Sequence, residues 1–497
     1  MASSAHPIYA VDLAVIGLYL FGIAVFGAYF FRRSRTVEGF TLGQRSLPGW
    51  ALGLSIMGTF LSSNTFLGYP GKAYEANWAM FVFSLTLPIA AVLSSRFFIP
   101  LYRRRLQTTA YQHLEDRFGP LARGYSGVSL ILLQLGRIAT VLYLVSLPVG
   151  RLMGWNATAT ILVLGALTIS YTILGGISAV VWTDVIQAVV LMAGAIFCMV
   201  LILARTPGGA ETVMEAAREA DKFSFGGWDL NLAIEGFWVV LLYGIVENIK
   251  NFGVDQNYVQ RFLSAPSDRE ARKSLWLGSL IYLPVSAVFF FIGTALFGFY
   301  GGSARPADFP AQSDEVFPYF IVHELPPGAT GLMIAAILAA AMSTLDSSIN
   351  ASATVWTVDF HQRYLRPGAG DHALLNVARR ATLLVGLLGT GSALLMTRVT
   401  GNAIDIWWQI SAVFGGGMLG LFLLGLLVPR ATRQSAFLGV IAGVAAIAWG
   451  TFAHGLEGPL RFLNFPLHKF LVGFVGTFAI LLVGWAHALW LARRAPR

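Results

Sequence analysis

The segment AAAMSTLDSSIN, Ala339 to Asn350, places Ser343, Thr344, Asp346, Ser347, Ser348 and Asn350 inside a stretch otherwise apolar enough to cross a bilayer. Ser343, Asp346, Ser347 and Asn350 recur at i, i+3, i+4 and i+7, so one helix face carries them, with Thr344 beside it. Hydroxyl, carbonyl and carboxylate oxygens are hard ligands of the kind that replace the water shell of a small cation such as Na⁺. The competing reading has the hydroxyls bonded back to carbonyls four residues earlier, or small residues allowing close helix approach. That reading covers any one hydroxyl. It covers Asp346 poorly, because a carboxylate at hydrocarbon depth is costly.

Three further features sit at similar depth. Asp184, in ISAVVWTDVIQAVV, is an intramembrane carboxylate and by default a site residue; the alternative is a partner for a basic group or backbone donors. Arg137, in ILLQLGRIATVLYL, is too deep to reach water by extending its side chain, so it faces a wet cavity or the interior. Its planar fork matches a carboxylate, either that of an anionic substrate or that of Asp184. Ser62, Ser63, Asn64 and Thr65 lie in MGTFLSSNTFLGYPGK, bracketed by Gly58, Gly68, Pro70 and Gly71. Such a sequence competes with helical hydrogen bonding and leaves backbone carbonyls free for a cation and N–H groups free for an anion; a simple kink is the alternative.

The elements that must position these groups are membrane helices. Of 497 residues, 56% are hydrophobic and 12% charged, about half the usual charged share of soluble domains, and the mean hydropathy is +0.67. Candidate spans fall at 11–31, 46–69, 78–102, 124–150, 156–174, 177–204, 232–250, 274–300, 328–360, 381–397, 404–428, 434–453 and 468–492, thirteen in all. The first is expected to be a retained helix, since FRRSR and not a small-residue cleavage site follows it. Arginine-rich loops alternate along the chain, with Arg32 to Arg45, Arg103 to Arg123, Arg261 to Lys273, Arg363 to Arg380, Arg430 and Arg433, and the tail from Arg493 on one side. With that side cytoplasmic, the N-terminus lies outside and the C-terminus inside. The net charge of +9 is read as topogenic and not as a nucleic-acid surface. The second and seventh spans look interrupted, the seventh by Gly236 and Gly244, and interrupted spans five apart fit two inverted five-helix repeats. The expected class is an all-α integral membrane protein: one polytopic domain over 1–497, with repeats at 46–204 and 232–428 and peripheral helices at 11–31 and 434–492.

Enzymatic chemistry has no foothold. The eight histidines are scattered without an HExxH, no phosphate-binding loop or nucleophile elbow sits in a strand-to-helix setting, and the single cysteine, Cys198, excludes intramolecular disulfides. A passive channel would not need a cation-ligand cluster opposite a broken span.

Three stretches resemble the sodium/solute symporter family, whose core is the five-plus-five inverted repeat of the leucine-transporter fold: GGISAVVWTDVIQ from Gly175, GVDQNYVQRFLSAPSDREARKS from Gly253, and AAAMSTLDSSINASATVWTVDFHQRYLRP from Ala339. The resemblance implies a sodium site made by the carbonyls of Gly58, Leu61 and Ala340 with the hydroxyls of Ser343 and Thr344. It implies a second sodium, in some members, at Asp184, Ser343, Asp346 and Ser347. Asp346 stands where two-sodium members carry a hydroxyl, and an added carboxylate either tightens cation binding or takes a proton. LSSNTFLGYPGKAYEANW with LLQLGRIATVLYL is most similar to bacterial sialic acid symporters. That implies a carboxylate held by Arg137 in a pocket with Ser62, Ser63, Asn64 and Thr65 and a far wall at Met80 and Ser84. The implied function is sodium-coupled import of a small carboxylate-bearing solute by alternating access, in the inner membrane and as a monomer; another monocarboxylate or a sugar stays open.

Overall fold

The structure is a computed structural model and describes residues 9–62, 64–104, 107–301, 309–398, 406–407, 410–454, 456 and 458–494. Helix follows helix, with no strand among the described residues. Among the described residues ten helices are long and apolar enough to cross a membrane, and Gly49–Phe60 and Ser411–Leu427 are shorter apolar helices. Thirteen separate spans are therefore not seen as thirteen separate helices. One reason is Ala157–Arg205, a run of 49 residues, about 74 Å of helix. It bends at Gly176, whose φ of 55° and ψ of −151° lie outside helical space and where a Cβ would stand 2.5 Å from the Phe40 carbonyl.

The helices used below are α1 (Ala10–Tyr29), α2 (Gly49–Phe60), α3 (Tyr69–Glu75), α4 (Pro120–Met153), α5 (Ala157–Arg205), α6 (Phe237–Val254), α7 (Gln256–Ser264), α8 (Asp268–Gly301), α9 (Ala329–Val355), α10 (Asp371–Met396), α11 (Gly416–Leu427), α12 (Arg433–Phe452) and α13 (Val472–Arg494). At the centre stands α9, buried at every residue from Met333 to Val355 and enclosed by α5, α4, α1, α10 and α2. A helix buried all round tolerates polar side chains only where neighbours satisfy them. Its N-terminus is fixed from the far end of the chain: Asp12 Oδ1 accepts from Gly328 N at 2.8 Å and Gly331 N at 2.7 Å. Towards the C-terminus, α12 and α13 pair with each other and with α11.

The second span breaks as its composition predicts. Helical bonding of α2 ends where Leu61 N donates to Met57 O, and Leu61 itself turns to ψ 75°, swinging its carbonyl out of the ladder. Thr65 then donates to Phe60 O at 3.0 Å, and one π-helical turn, Asn64–Gly68, leads into α3 with Pro70 in its first turn. The seventh span corrects the sequence expectation. Gly244 does not interrupt it, since α6 runs unbroken through that residue, and a Cβ there would stand 2.7 Å from Thr86 Oγ1. Gly244 is a close-packing position. The interruption lies at Asp255, which is extended (φ −75°, ψ 118°) and caps α7 by accepting from Asn257 N at 2.9 Å.

Candidate cation and substrate sites

Where α2 ends, it meets the polar face of α9. Ser343 Oγ lies 2.9 Å from Gly58 O, and Thr344 Oγ1 lies 3.2 Å from Ala340 O. Those four oxygens are neutral hard donors of the type a sodium ion takes in place of water, and the Leu61 carbonyl at the end of α2 is released from the helical ladder. A Cβ on Gly58 would meet Ser343 Oγ at 3.5 Å, ordinary contact distance, so the two helices are spaced by a side-chain oxygen and not by steric collision.

Deeper between α2, α5, α7 and α9 lies a second polar centre, and its key cation was misassigned by sequence. Arg261, counted among loop arginines, is 1% exposed and sits on α7 with its guanidinium against Asp184, which is fully buried. Its Nη2 donates to Asp184 Oδ2 at 2.8 Å and to Ser347 Oγ at 2.7 Å, its Nε to Ser55 Oγ at 2.7 Å, and its Nη1 to the Asn257 carbonyl. Ser55 Oγ in turn donates to Asp184 Oδ2 at 2.5 Å. Asp184 therefore pairs with Arg261 and not with Arg137. The other oxygen, Asp184 Oδ1, is buried and has no donor among the described residues. Asp346 is fully buried; its Oδ2 accepts from Tyr171 at 2.8 Å and from Thr183 at 3.4 Å, and its Oδ1 from Ser347 at 3.3 Å. Among the described residues no cation lies within ion-pair distance of Asp346. Arg261 thus pairs with Asp184, and the buried carboxylate of Asp346 is left to be balanced by a cation or a proton. Arg261 was present in the sequence as QRF, but nothing in its local pattern distinguishes a buried arginine from a loop arginine.

Beside the break opens a cavity of about 180 Å³ that is open to solvent. Ser62, Thr65, Met80 and Arg137 line it, together with Phe60, Thr344 and Glu247. Ser84 is buried outside that lining. Ser63 lies outside the described residues, and Asn64 is described only as part of the π-helical turn. Arg137 stands 3.8 Å from Asp255 Oδ2, and its guanidinium carbon lies 5.1 Å from the centre of the Trp407 ring. The Asn257 amide, oriented so that both its ends meet complementary groups, accepts from Arg137 Nη1 at 3.0 Å and donates to the Ser347 carbonyl at 2.9 Å. One side chain therefore joins the arginine of the cavity to the polar face of α9. Rings form the inner wall: Phe60 lies 4.7 Å from Tyr258 and 5.4 Å from Tyr282, centre to centre.

The cavity extends from the break toward Lys72, Met80 and Phe83, the ends remote from the arginine-rich loops. The opposite end carries a cluster of ion pairs. Arg123, itself buried, reaches Asp359 at 2.6 Å and Glu115 at 2.6 Å; Thr109 donates to Asp359 at 2.8 Å, and Arg363 reaches Glu115 at 2.8 Å. Burial opposes ionisation of Glu115, but hydrogen bonds from Arg363 and Arg123 outweigh it and hold its carboxyl below the ordinary range. These contacts bind the start of α4 to the extension of α9.

Comparison with known proteins agrees with this geometry. The model of the "Sodium:solute symporter family" matches residues 40–443. The sodium/sialic acid symporter SiaT of Proteus mirabilis (strain HI4320) is 32% identical over 486 residues, 96% of this chain and 95% of its own length. Human sodium-coupled monocarboxylate transporter 1 is 29% identical, over 89% of this chain and 73% of its own length. A solved structure of a Na⁺-coupled sialic acid symporter, substrate-bound and outward-open, superposes with a TM-score of 0.89 at 31% identity, covering 97% of this chain and 98% of the other. A nucleobase-cation-symport-1 family transporter shares the fold at TM-score 0.57 and 16% identity, over 93% of this chain and 96% of its own. With a broken helix facing a hydroxyl-bearing one, a solvent-open cavity at their junction, and this match over most of its length, the chain belongs to the sodium:solute symporter family, transporters and not enzymes, embedded in the membrane by many helices and coupled to sodium.

Proposed function

We propose that the protein imports a small carboxylate-bearing solute of the sialic acid type together with sodium, by alternating access. One observation carries this reading: Arg137 and Thr344 line the same solvent-open cavity at the break in the second span, and Ser343, next to Thr344 on α9, reaches the Gly58 carbonyl of α2. Sodium held by those oxygens ties α2 to α9 and fixes the shape of the break. The substrate carboxylate then meets Arg137, whose link through Asn257 reaches the same face of α9. Each ligand raises the other's affinity by the same factor, which is the condition for coupled transport. A second cation among Asp184 Oδ1, Ser343, Asp346 and Ser347 balances the charge that Arg261 leaves uncompensated. The cavity faces outward, the ion-paired end faces the cytoplasm, and the protein works in the inner membrane as a monomer with its N-terminus outside and C-terminus inside. The two five-helix repeats occupy 46–204 and 232–428.

Uptake into proteoliposomes tests the assignment. Ser343→Ala is expected to weaken apparent sodium affinity by about tenfold or more, the loss of one charge-directed contact. Arg137→Ala is expected to remove binding of acids by a similar or larger factor while sodium still stabilises the protein. Normal sodium dependence in Ser343→Ala, or unchanged acid affinity in Arg137→Ala, sinks the corresponding half.

A further inference from the structure

The substrate cavity has a second pole that the carboxylate reading leaves unused. Glu247, on α6, faces it with a side chain 17% exposed. Only one of its oxygens is engaged: Oε1 accepts from Lys250 Nζ at 2.5 Å and from Ser411 Oγ at 3.4 Å. Among the described residues Oε2 has no donor. Lys250 is itself buried, so Glu247 is held in place from behind. One turn further along the same face, Asn251 also lines the cavity, 4% exposed, and its Oδ1 has no donor among the described residues.

Other groups around the cavity do not supply those donors. Its four threonines all donate their hydroxyl protons to the main chain: Thr59 to Ser55 O, Thr65 to Phe60 O, Thr140 to Gly136 O and Thr344 to Ala340 O. They offer an entering solute lone pairs and methyl groups. A solute that fills the cavity removes the water that solvates Glu247 Oε2. It must then donate to that oxygen itself or leave a charged acceptor desolvated, and the second outcome is the more costly.

Resting on the carboxylate reading of the site, we propose that Glu247 determines specificity. Its unengaged oxygen, supported by Asn251, receives O–H or N–H donors from the part of the substrate remote from its carboxylate. The transporter therefore selects donor-rich acids, whether polyhydroxylated or amine-bearing, over donor-free monocarboxylates that Arg137 alone would accept. A site built to pair a substrate donor rejects the analogue that lacks it far more strongly than an apolar pocket rejects a missing methylene.

The test measures sodium-dependent binding of N-acetylneuraminic acid, of proline and of butyrate to the whole purified protein, by calorimetry and thermal shift. Wild type, Glu247→Gln and Asn251→Ala are compared. Wild type is expected to prefer at least one donor-bearing acid over butyrate by 100-fold or more, on the order of one to two unpaired groups at 5- to 150-fold each. The neuraminic acid and proline arms tell hydroxyl from ammonium donors. Glu247→Gln is expected to collapse that preference by at least tenfold, and Asn251→Ala by severalfold. Equal affinity for butyrate in wild type, or a preference that survives in both variants, overturns the assignment. If Glu247→Gln fails to fold because Lys250 loses its partner, the wild-type ratio and Asn251→Ala still decide. No sodium-dependent binding of any acid would overturn the carboxylate reading and this inference with it, whereas binding without preference overturns this inference alone.

Discussion

Replacing Arg261 by methionine tests the charge arrangement at the deeper polar centre. The guanidinium makes four hydrogen bonds, to Ser55, the Asn257 carbonyl, Asp184 and Ser347, from a position 1% exposed. Methionine keeps much of the volume and removes the charge. Asp184 and Asp346 then lie buried with no cation between them. Breaking a buried pair from one side costs about 3–5 kcal/mol, because the remaining charge is left desolvated. Sodium offers a way back. If a cation binds among these carboxylates, raising its concentration to 100 times the dissociation constant stabilises the folded state by about 2.7 kcal/mol. The variant should therefore unfold earlier than wild type in sodium-free buffer and recover a large part of the difference as sodium rises. The assay is a thermal unfolding series in detergent, with sodium exchanged for potassium at constant ionic strength. Adding Asp184→Asn to Arg261→Met should lower stability by less than the sum of the two single changes, with a coupling of about 1–3 kcal/mol. A loss under about 1 kcal/mol in Arg261→Met, or a sodium dependence identical to wild type, would refute the idea that one buried carboxylate awaits a cation.

Two further outcomes follow from the packing and from the ion-paired end. Gly293 on α8 lies so close to the segment after the break that a Cβ would stand 2.1 Å from Pro70 O and 2.8 Å from Pro70 C. Gly293→Ala must push backbone against backbone, so folded yield in membranes should fall sharply; wild-type yield and uptake would show that the helices yield there at little cost. At the opposite end, the Glu115 carboxyl ionises below its ordinary value of 4.5, so its contribution to stability is complete above that pH and fades as the pH falls through the lower folded-state value. Glu115→Gln should flatten the fall in thermal midpoint below about pH 5, and an unchanged acid limb would show that its ion pairs add nothing to stability.

How far the sequence led differs from group to group. The polar face of α9 was legible because Ser343, Asp346, Ser347 and Asn350 share a helical period, a local property. The break after Gly58 was legible because Gly, Pro and a Ser-Ser-Asn-Thr run compete with helical bonding on the spot. Gly244 misled for the same reason: glycine reads as a breaker, yet here it admits the Phe83 backbone and the Thr86 side chain against α6. Ser84 misled too, since the wall of the cavity depends on how the third span turns.

Sequence alone determined that this chain is a bundle of membrane helices, where one of them breaks, which face of another carries hard oxygens, and that an arginine sits at depth, because each follows from composition or period within one segment. Only the tertiary structure decided who meets whom. It pairs Arg261 with Asp184 across 77 residues, sets Asp12 on the N-terminus of α9 from 316 residues away, and brings Glu247 to the cavity wall while Lys250 holds one of its oxygens. The physical reason is that a buried charge is tolerated only with its partner. In a helical membrane protein that partner usually comes from another helix, at a sequence distance that no local pattern records.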